Sequence, residues 1–263
     1  MIGLLSPGAM GAAVGGRLVD AGETVLWASA GRGPETVARA QAAGLTDAGS
    51  IASLVAGCDL VFSVVPPQFA QETASAAVDS GFRGLYVDGN AIAPQRAAAI
   101  RAIVERGGAR FVDGGIVGPP PVRPGTTRLY LSGREAPPVA ARFAATAIEA
   151  LTVAGGDEAA SALKLAYAAW TKGSAALLLT ARALARRSGV ERALAEEWAR
   201  SQPGLEAQLE QARRSATEKG WRWAPEMEEI AATMRDAGLP EGFHEAAAAV
   251  FRQPVQELLD ETD

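Results

Sequence analysis

Two chemically versatile residue types are almost missing from this 263-residue chain, which holds one cysteine and one histidine. The lone Cys58 closes no internal disulfide and forms no thiolate cluster. With only His244 beside it and the acids scattered, no spacing for a metal site exists, and none is expected. Nor does any Ser-His-Asp arrangement or carboxylate pair point to hydrolysis. Positive charge is also short: 25 Lys and Arg face 30 Asp and Glu, for a net charge of -5. That balance argues against a nucleic-acid backbone or an anionic membrane as partner, while leaving room for a local anion site. Long apolar runs are lacking too, since residues 175–179 are closed off by Lys172 and Arg182, far short of a bilayer's width. The N-terminus has no basic stretch ahead of an apolar core, and strand-like residues begin at Ile2. A cytoplasmic protein in a reducing compartment, binding a small molecule, is the expectation.

What is present is an ordinary globular balance, 48% hydrophobic and 21% charged, with enough length for two modest cores. Residues 1–5, 24–28, 60–65, 85–88 and 110–113 read as strands, and residues 10–21, 34–43, 68–80 and 94–106 as helices. This alternation predicts a doubly wound, mostly parallel sheet with helices on both faces, extended by runs at 128–132 and 151–154. After Gly155-Gly156 only alanine- and leucine-rich helical stretches follow, broken at Gly189, Pro203-Gly204, Gly220 and residues 238–242. The expected division is therefore an α/β domain over residues 1–156 and an all-α domain over residues 157–263. From Ala159 to Ala181 only Lys164 and Lys172 are charged. Such a helix should be buried on every face, and an unbroken run over residues 157–187 would be about 45 Å long. A second subunit is expected to share in covering it, giving a homodimer through the helical domain, with a kink possible at Gly173-Ser174.

The first strand leads into Gly3-Leu4-Leu5-Ser6-Pro7-Gly8-Ala9-Met10-Gly11 and then a helix. A turn of this kind lets backbone approach a pyrophosphate without a Cβ in the way, and aims the first helical amides at it. Gly8 and Gly11 hold the second and third glycine positions of a dinucleotide fingerprint, with Ser6 where the first usually stands. Ser6, Pro7, Gly8, Ala9, Met10 and Gly11 are thus candidate cofactor contacts; a purely structural turn is the alternative reading. At the end of the second strand an acid would favour NAD, but the chain reads Trp27-Ala28-Ser29-Ala30-Gly31-Arg32. Ser29 and Arg32 are candidates for a 2′-phosphate, so NADP is expected over NAD; a solvated loop arginine is the alternative. Val64-Val65-Pro66-Pro67 and Asp88-Gly89-Asn90 close the third and fourth strands, and ligands in such sheets bind beyond the carboxyl ends. Val65, Pro66 and Asn90 are therefore expected to face the nicotinamide half, unless these turns are ordinary punctuation.

Taken together these segments resemble the β-hydroxyacid dehydrogenase superfamily, the 6-phosphogluconate-dehydrogenase-like proteins. The glycine-rich turn is similar to theirs. Asp88 to Pro94 stands at their Asp-x-Ser-Thr-x-x-Pro segment, and Asp113-Gly114-Gly115-Ile116-Val117-Gly118-Pro119 at their Asp-Ala-Pro-Val-Ser-Gly-Gly substrate segment. The resemblance implies that Lys164 is the catalytic lysine and Gly118 a substrate contact. The second half resembles a branch whose C-terminal domain is of unknown function, through residues 164–173, Trp221-Arg222-Trp223 and Gly242-Phe243-His244. Departures are clear: Val117 replaces the family serine, Pro119 its last glycine, Ala168 its asparagine and Asn90 the serine of the fourth-strand turn. Pro119 also lacks an N–H to offer a carboxylate. Imine reductases share the architecture, and residues 113–116 resemble theirs.

Hydride transfer to a carbonyl needs a proton donor at oxygen, and a lysine in apolar surroundings can serve in both directions. Lys164 is the candidate general acid/base. Tyr167 and Thr171 fall on its helix face and are candidate substrate contacts, as is Asn90, which can equally stabilise its own turn. Lys172 is a second choice for catalysis, or a partner for an acid in the dimer. Tyr167 and Trp170 read as pocket walls or as core. His244 reads as a local hydrogen-bonding residue or a substrate contact. The favoured reading is an NADP-dependent oxidoreductase acting on a small carbonyl or hydroxy compound; an imine reductase and an NADP-binding sensor with little turnover are the alternatives.

Overall fold

A computed structural model describes residues 1–259. Short apolar runs become the strands of one eight-stranded sheet: β1 (Ile2–Leu5), β2 (Val25–Trp27), β3 (Thr46–Asp47), β4 (Leu60–Ser63), β5 (Leu85–Asp88), β6 (Arg110–Val117), β7 (Thr127–Ser132) and β8 (Ile148–Thr152). Their order is β3-β2-β1-β4-β5-β6-β7-β8, parallel throughout except between β6 and β7. The chain runs outward from β1 to β3, then returns to β4 on the other side of β1, so the direction of winding reverses between β1 and β4. Helices α1 (Ala9–Asp20), α2 (Pro34–Ala42), α3 (Ile51–Ala56), α4 (Ala70–Asp79), α5 (Pro94–Arg106) and α6 (Ala136–Arg142) connect the strands.

Alternation along the strands builds two cores. Ile2, Leu4, Leu60, Phe62, Leu85 and Val87 join one, with Val14 and Leu18 of α1. Leu5, Val61, Tyr86 and Phe111 join the other, with Ala74, Ala97 and Ile100 of α4 and α5. Successive side chains point to opposite faces of a strand, so a sheet covered on both sides needs apolar residues at every position.

Several elements depart from the expectation. β3, α3 and α6 are shorter than the windows in which hydrophobic periodicity becomes visible. β6 continues past Asp113 to Val117, because Gly114 to Val117 pair antiparallel with β7. In the helical half, α7 (Ala159–Arg187), α8 (Glu191–Ser201), α9 (Leu205–Asp236), α10 (Gly242–Arg252) and α11 (Val255–Leu259) follow in turn. Gly220 does not break a helix as expected: α9 runs through both it and Pro225. A Cβ at Gly220 would lie 3.4 Å from the Phe251 carbonyl oxygen, an ordinary contact, so neither a turn nor a close approach requires glycine there.

The chain divides into two compact units, Met1–Lys164 and Leu165 onward, so that α7 starts in the first and continues in the second. Within one chain Trp170 is 75% exposed, Leu177 69% and Leu184 66%, so part of the helix that was expected to be covered with a second subunit's help is open here. Among the described residues no helix is long and apolar enough to cross a membrane.

Candidate functional site

One row of paired residues crosses the parallel sheet at its carboxyl edge: Leu5 is level with Ser63, Ser63 with Asp88, and Asp88 with Asp113. Ser6, Val65, Asn90 and Gly115 each lie one or two residues beyond this row. Hydrogen-bonded register alone therefore brings four separately expected segments to one edge of the first unit. At about 4.8 Å per strand, the row from β1 to β6 spans about 14 Å.

Ser6 has φ 72°, the only described non-glycine residue in the left-handed region. It adopts the conformation for which a glycine would normally be used. Its carbonyl accepts the Gly8 N–H at 2.9 Å, tightening the bend. Gly11 is required by the same bend, because a Cβ there would lie 2.5 Å from the Ser6 carbonyl oxygen. Gly8 differs: a Cβ on it would meet no protein atom within 4 Å. Gly8 is the N-cap of α1, with no side-chain cap and no acid in the first turn. The first amides of a helix have no intrahelical acceptor and favour an anion. Buried Pro7, half-buried Met10 and exposed Ala9 complete the bend, and the Pro7 carbonyl accepts from Arg39 Nη1 at 3.3 Å. A pyrophosphate fits this cradle, which a Cβ at position 8 would fill.

At the end of β2, a turn closed by the Arg32 N–H on the Ser29 carbonyl, with Gly31 at φ 72°, brings Ser29 and Arg32 together. Arg32 is exposed. The adjacent strand contributes an acid that sequence reasoning missed: Asp47 Oδ1 accepts the backbone N–H of Ser29 at 3.2 Å and that of Gly49 at 2.7 Å. The Ser29 hydroxyl and these amides hold the Asp47 carboxyl below its ordinary value. A two-residue edge strand leaves little signal from which that position could be read.

Asn90 is buried, and its amide ties two strand ends together. Its Oδ1 accepts the Val65 N–H at 2.6 Å, its Nδ2 donates to Ser63 Oγ at 3.3 Å, and its own N–H donates to Asp88 Oδ1 at 2.9 Å. Pro66 is exposed beside it. Asp88 is fully buried and its Oδ2 has no hydrogen-bond partner among the described residues. Burial, with the nearby Asp113 charge adding to it against the Asn90 amide, pushes the Asp88 carboxyl up to about 7.

Asp113 faces the start of α7. Its Oδ1 accepts from Ser161 Oγ at 2.5 Å, and its Oδ2 accepts from the Ser161 N–H at 2.7 Å and from Ser132 Oγ at 3.0 Å. Ser132 Oγ in turn accepts the Ala160 N–H at 2.9 Å. Burial raises the Asp113 carboxyl, and these hydrogen bonds oppose the rise. One turn after Ser161 comes half-buried Lys164, seated over β6: a Cβ on Gly115 would lie 2.9 Å from Lys164 Cβ and 2.7 Å from the Ala160 carbonyl oxygen. Gly118, exposed and at φ 118°, turns the chain at the end of β6.

The remaining candidates lie in the second unit. Tyr167 is half exposed, and its carbonyl accepts from Thr171 Oγ1 at 3.1 Å. Lys172 forms an ion pair with Glu226 of α9 in the same chain and lies 5.6 Å from the Trp223 ring centre. Its acidic partner is thus intrachain. His244 is buried against Gly173, its Nε2 lying 3.3 Å from the Ala169 carbonyl oxygen, which matches the local hydrogen-bonding reading. Cys58 is a free thiol whose ionisation burial pushes up to about 11, against nucleophilic use. Among the described residues no group of three or more His, Cys, Asp or Glu could hold a metal ion.

Comparison with known proteins bears on both halves. Residues 185–253 match a domain of unknown function, DUF1932. No curated protein matches the chain. Among solved structures, MTH1747, a conserved protein of unknown function described as similar to 3-hydroxyacid dehydrogenases, is 25% identical with a TM-score of 0.75, covering 98% of this chain and 97% of that one. Mycobacterium tuberculosis 3-hydroxyisobutyrate dehydrogenase with L-serine is 19% identical, TM-score 0.70, covering 95% and 92%. A reductive aminase from Aspergillus terreus, in complex with NADPH and ethyl-5-oxohexanoate, is 20% identical, TM-score 0.62, covering 97% and 93%. The last two share the fold. Residues 1–152, more than half the chain, match the NAD binding domain of 6-phosphogluconate dehydrogenase, and the chain belongs to that family.

Proposed function

We propose that the protein is an NADP-dependent oxidoreductase acting on a small carbonyl or hydroxy compound, with Lys164 as general acid/base. The observation that carries this reading is the seat of Lys164 over Gly115, beyond the carboxyl edge of the sheet that also carries the cradle at Gly8. The dinucleotide, when bound, supplies or accepts the hydride. The amides at the start of α1 would hold its pyrophosphate, with Ser29 and Arg32 at a 2′-phosphate and Val65, Pro66 and Asn90 toward the nicotinamide. Lys164 would hand a proton to the carbonyl oxygen during reduction and take it back in the reverse direction. Gly118, Tyr167 and Thr171 remain the candidate substrate contacts. Val117, which lacks the serine hydroxyl, and Pro119, which lacks an N–H, favour a carbonyl compound without a carboxylate over a small hydroxy acid.

The test is NADPH oxidation over a panel of aldehydes, keto acids, and ketones with and without amine. Lys164→Met should lower kcat by about 100-fold or more with NADPH affinity within about twofold. An unchanged kcat removes the lysine from the mechanism. Turnover only when an amine accompanies the ketone would favour imine reduction, a reading supported by the reductive-aminase fold likeness and the Asp113 to Ile116 run. Absence of turnover alongside tight NADPH binding would favour a sensor.

A homodimer through the helical unit belongs to the same proposal. Trp170, Leu177 and Leu184 recur every seven residues on α7 and are its most exposed large apolar residues. Leu177→Glu with Leu184→Glu should convert a dimer to a monomer in sedimentation; a wild-type monomer at micromolar concentration refutes this.

A further inference from the structure

We infer that Asp113 is a positioning residue for Lys164, holding the first turn of α7 at the height above β6 from which the lysine acts. The inference rests on the reading of Lys164 as the proton-transferring group and adds the device that fixes its place. Asp113 is a buried carboxylate in the middle of β6, a strand otherwise made of apolar residues and glycine beyond its first residue. Both of its oxygens are turned to α7: three hydrogen bonds, at 2.5, 2.7 and 3.0 Å, reach Ser161 Oγ, the Ser161 N–H and Ser132 Oγ. Ser132, on the neighbouring strand, relays the contact to the Ala160 N–H at 2.9 Å. Two successive amides that the helix itself leaves unsatisfied are thus secured to the sheet, one directly and one through a hydroxyl. An acid at a helix N-terminus is also favoured by the helix dipole.

A clamp of this kind fixes height and rotation together. Ser161 and Lys164 are three residues apart and share a helix face. The hydrogen bonds at Ser161 therefore set where the Lys164 Cβ meets β6. Gly115, two residues along from Asp113 and on the same side of the strand, supplies the complementary feature. Its missing Cβ leaves space for Ala160 and Lys164 to settle against the strand, at distances a side chain would forbid. The two residues act in opposite senses: Asp113 draws the helix down, and Gly115 lets it come. Sheet stability alone would be served as well by a valine at position 113, as at Val112 and Val117 nearby.

The experiment compares the full-length wild type with Asp113→Asn, Ser161→Ala, Lys164→Met and the Asp113→Asn/Lys164→Met double variant. Asparagine keeps the shape but replaces one acceptor with a donor facing donors. The first readout is a crystal structure of Asp113→Asn, and of Ser161→Ala should the former fail to fold. Lys164 Cβ is expected to withdraw from Gly115 by about 1 Å. A lysine that stays in place in the variant obtained overturns the inference. The second readout is NADPH oxidation with cyclohexanone and methylamine, or with the panel's fastest carbonyl. Misplacement by about 1 Å corresponds to a loss of about 100-fold in kcat, with the Kd for NADPH unchanged. On the Lys164→Met background the Asp113→Asn change should have no further effect, since residues acting through one another are not additive. Equal losses on both backgrounds mean that Asp113 merely supports the fold, and they overturn the inference. Full activity in Lys164→Met with a displaced side chain in Asp113→Asn would instead refute the lysine's chemical role and leave the clamp standing.

Discussion

The sharpest perturbation of the nucleotide cradle is a single methyl group at position 8. Gly8 has φ -66° and ψ -176°, extended backbone that any residue adopts, and a Cβ there touches nothing in the protein. Gly8→Ala therefore carries no clash and no left-handed strain. Alanine is a poorer N-cap than glycine, and loss of backbone freedom in the unfolded chain offsets this, each by about 0.5–1 kcal/mol. A net change below about 1 kcal/mol corresponds to a Tm shift of less than about 4 °C for a chain of this size. Binding is another matter. The methyl would stand where the pyrophosphate approaches the first amides of α1, and withdrawing the phosphate would forfeit two charge-assisted hydrogen bonds. At about 1.5 kcal/mol each, this raises Kd by about 100-fold. The control is Gly11→Ala, whose Cβ would lie 2.5 Å from the Ser6 carbonyl oxygen. Overpacking against backbone costs about 1–3 kcal/mol, so that variant should lose several degrees of Tm as well as affinity. Differential scanning fluorimetry and fluorescence titration of NADPH measure both quantities. A Gly8→Ala protein that binds NADPH and NADH as tightly as the wild type refutes the cradle and, with it, the dinucleotide site.

Two further variants probe the charges around the site. Asp47→Asn removes the carboxylate that accepts the Ser29 N–H and, by lifting like-charge repulsion on a 2′-phosphate, should raise the NADPH-to-NADH ratio of kcat/KM. An unchanged or lowered ratio would mean that Ser29 does not adjoin a 2′-phosphate. Asp88→Asn addresses stability: the folded carboxyl is raised from 3.8 to about 7, so the native state keeps a proton that the unfolded chain gives up. The associated stability is whole below pH 4, falls as pH rises to about 7 and is flat above. Asparagine retains the acceptor for the Asn90 N–H, so the Tm difference between variant and wild type should widen in the variant's favour between pH 4 and 7. A difference independent of pH would contradict this.

The strands and the bend after β1 were legible because both depend on local pattern. Five of the strands are apolar runs closed by glycine, proline or aspartate, and the bend from Ser6 to Gly11 is read from residue types at fixed spacing. What escaped notice depends on distance in sequence. Asp113 and Ser161 are 48 residues apart, and no periodicity links a strand aspartate to a serine at the start of a later helix. Asp47 sits on a strand of two residues. Gly220 and Pro225 read as interruptions, yet α9 passes through both, since packing against α10 outweighs local propensity.

A further distinction separates the glycines at the carboxyl edge. Glycine at positions 11 and 115 is explained within the chain: a side chain at either would strike the Ser6 carbonyl or the first turns of α7. Glycine at position 8 is not explained in that way, since the space a Cβ would take is empty of protein and the backbone angles admit any residue. A helix start whose N-cap offers neither hydroxyl nor carboxylate also leaves its first amides unsatisfied, although serine or aspartate would improve the cap. Both features are unfavourable or neutral for the polypeptide alone, and both become favourable once an anion rests against those amides. Gly33 at the start of α2 shares these features, so it is the place of Gly8 in the bend between β1 and α1 that turns an unexplained glycine into an indication of a ligand. The same test applied to Gly115 returns the opposite answer, which is why the neighbourhood of Lys164 is read as a packing device that places a side chain and the neighbourhood of Gly8 as a binding site.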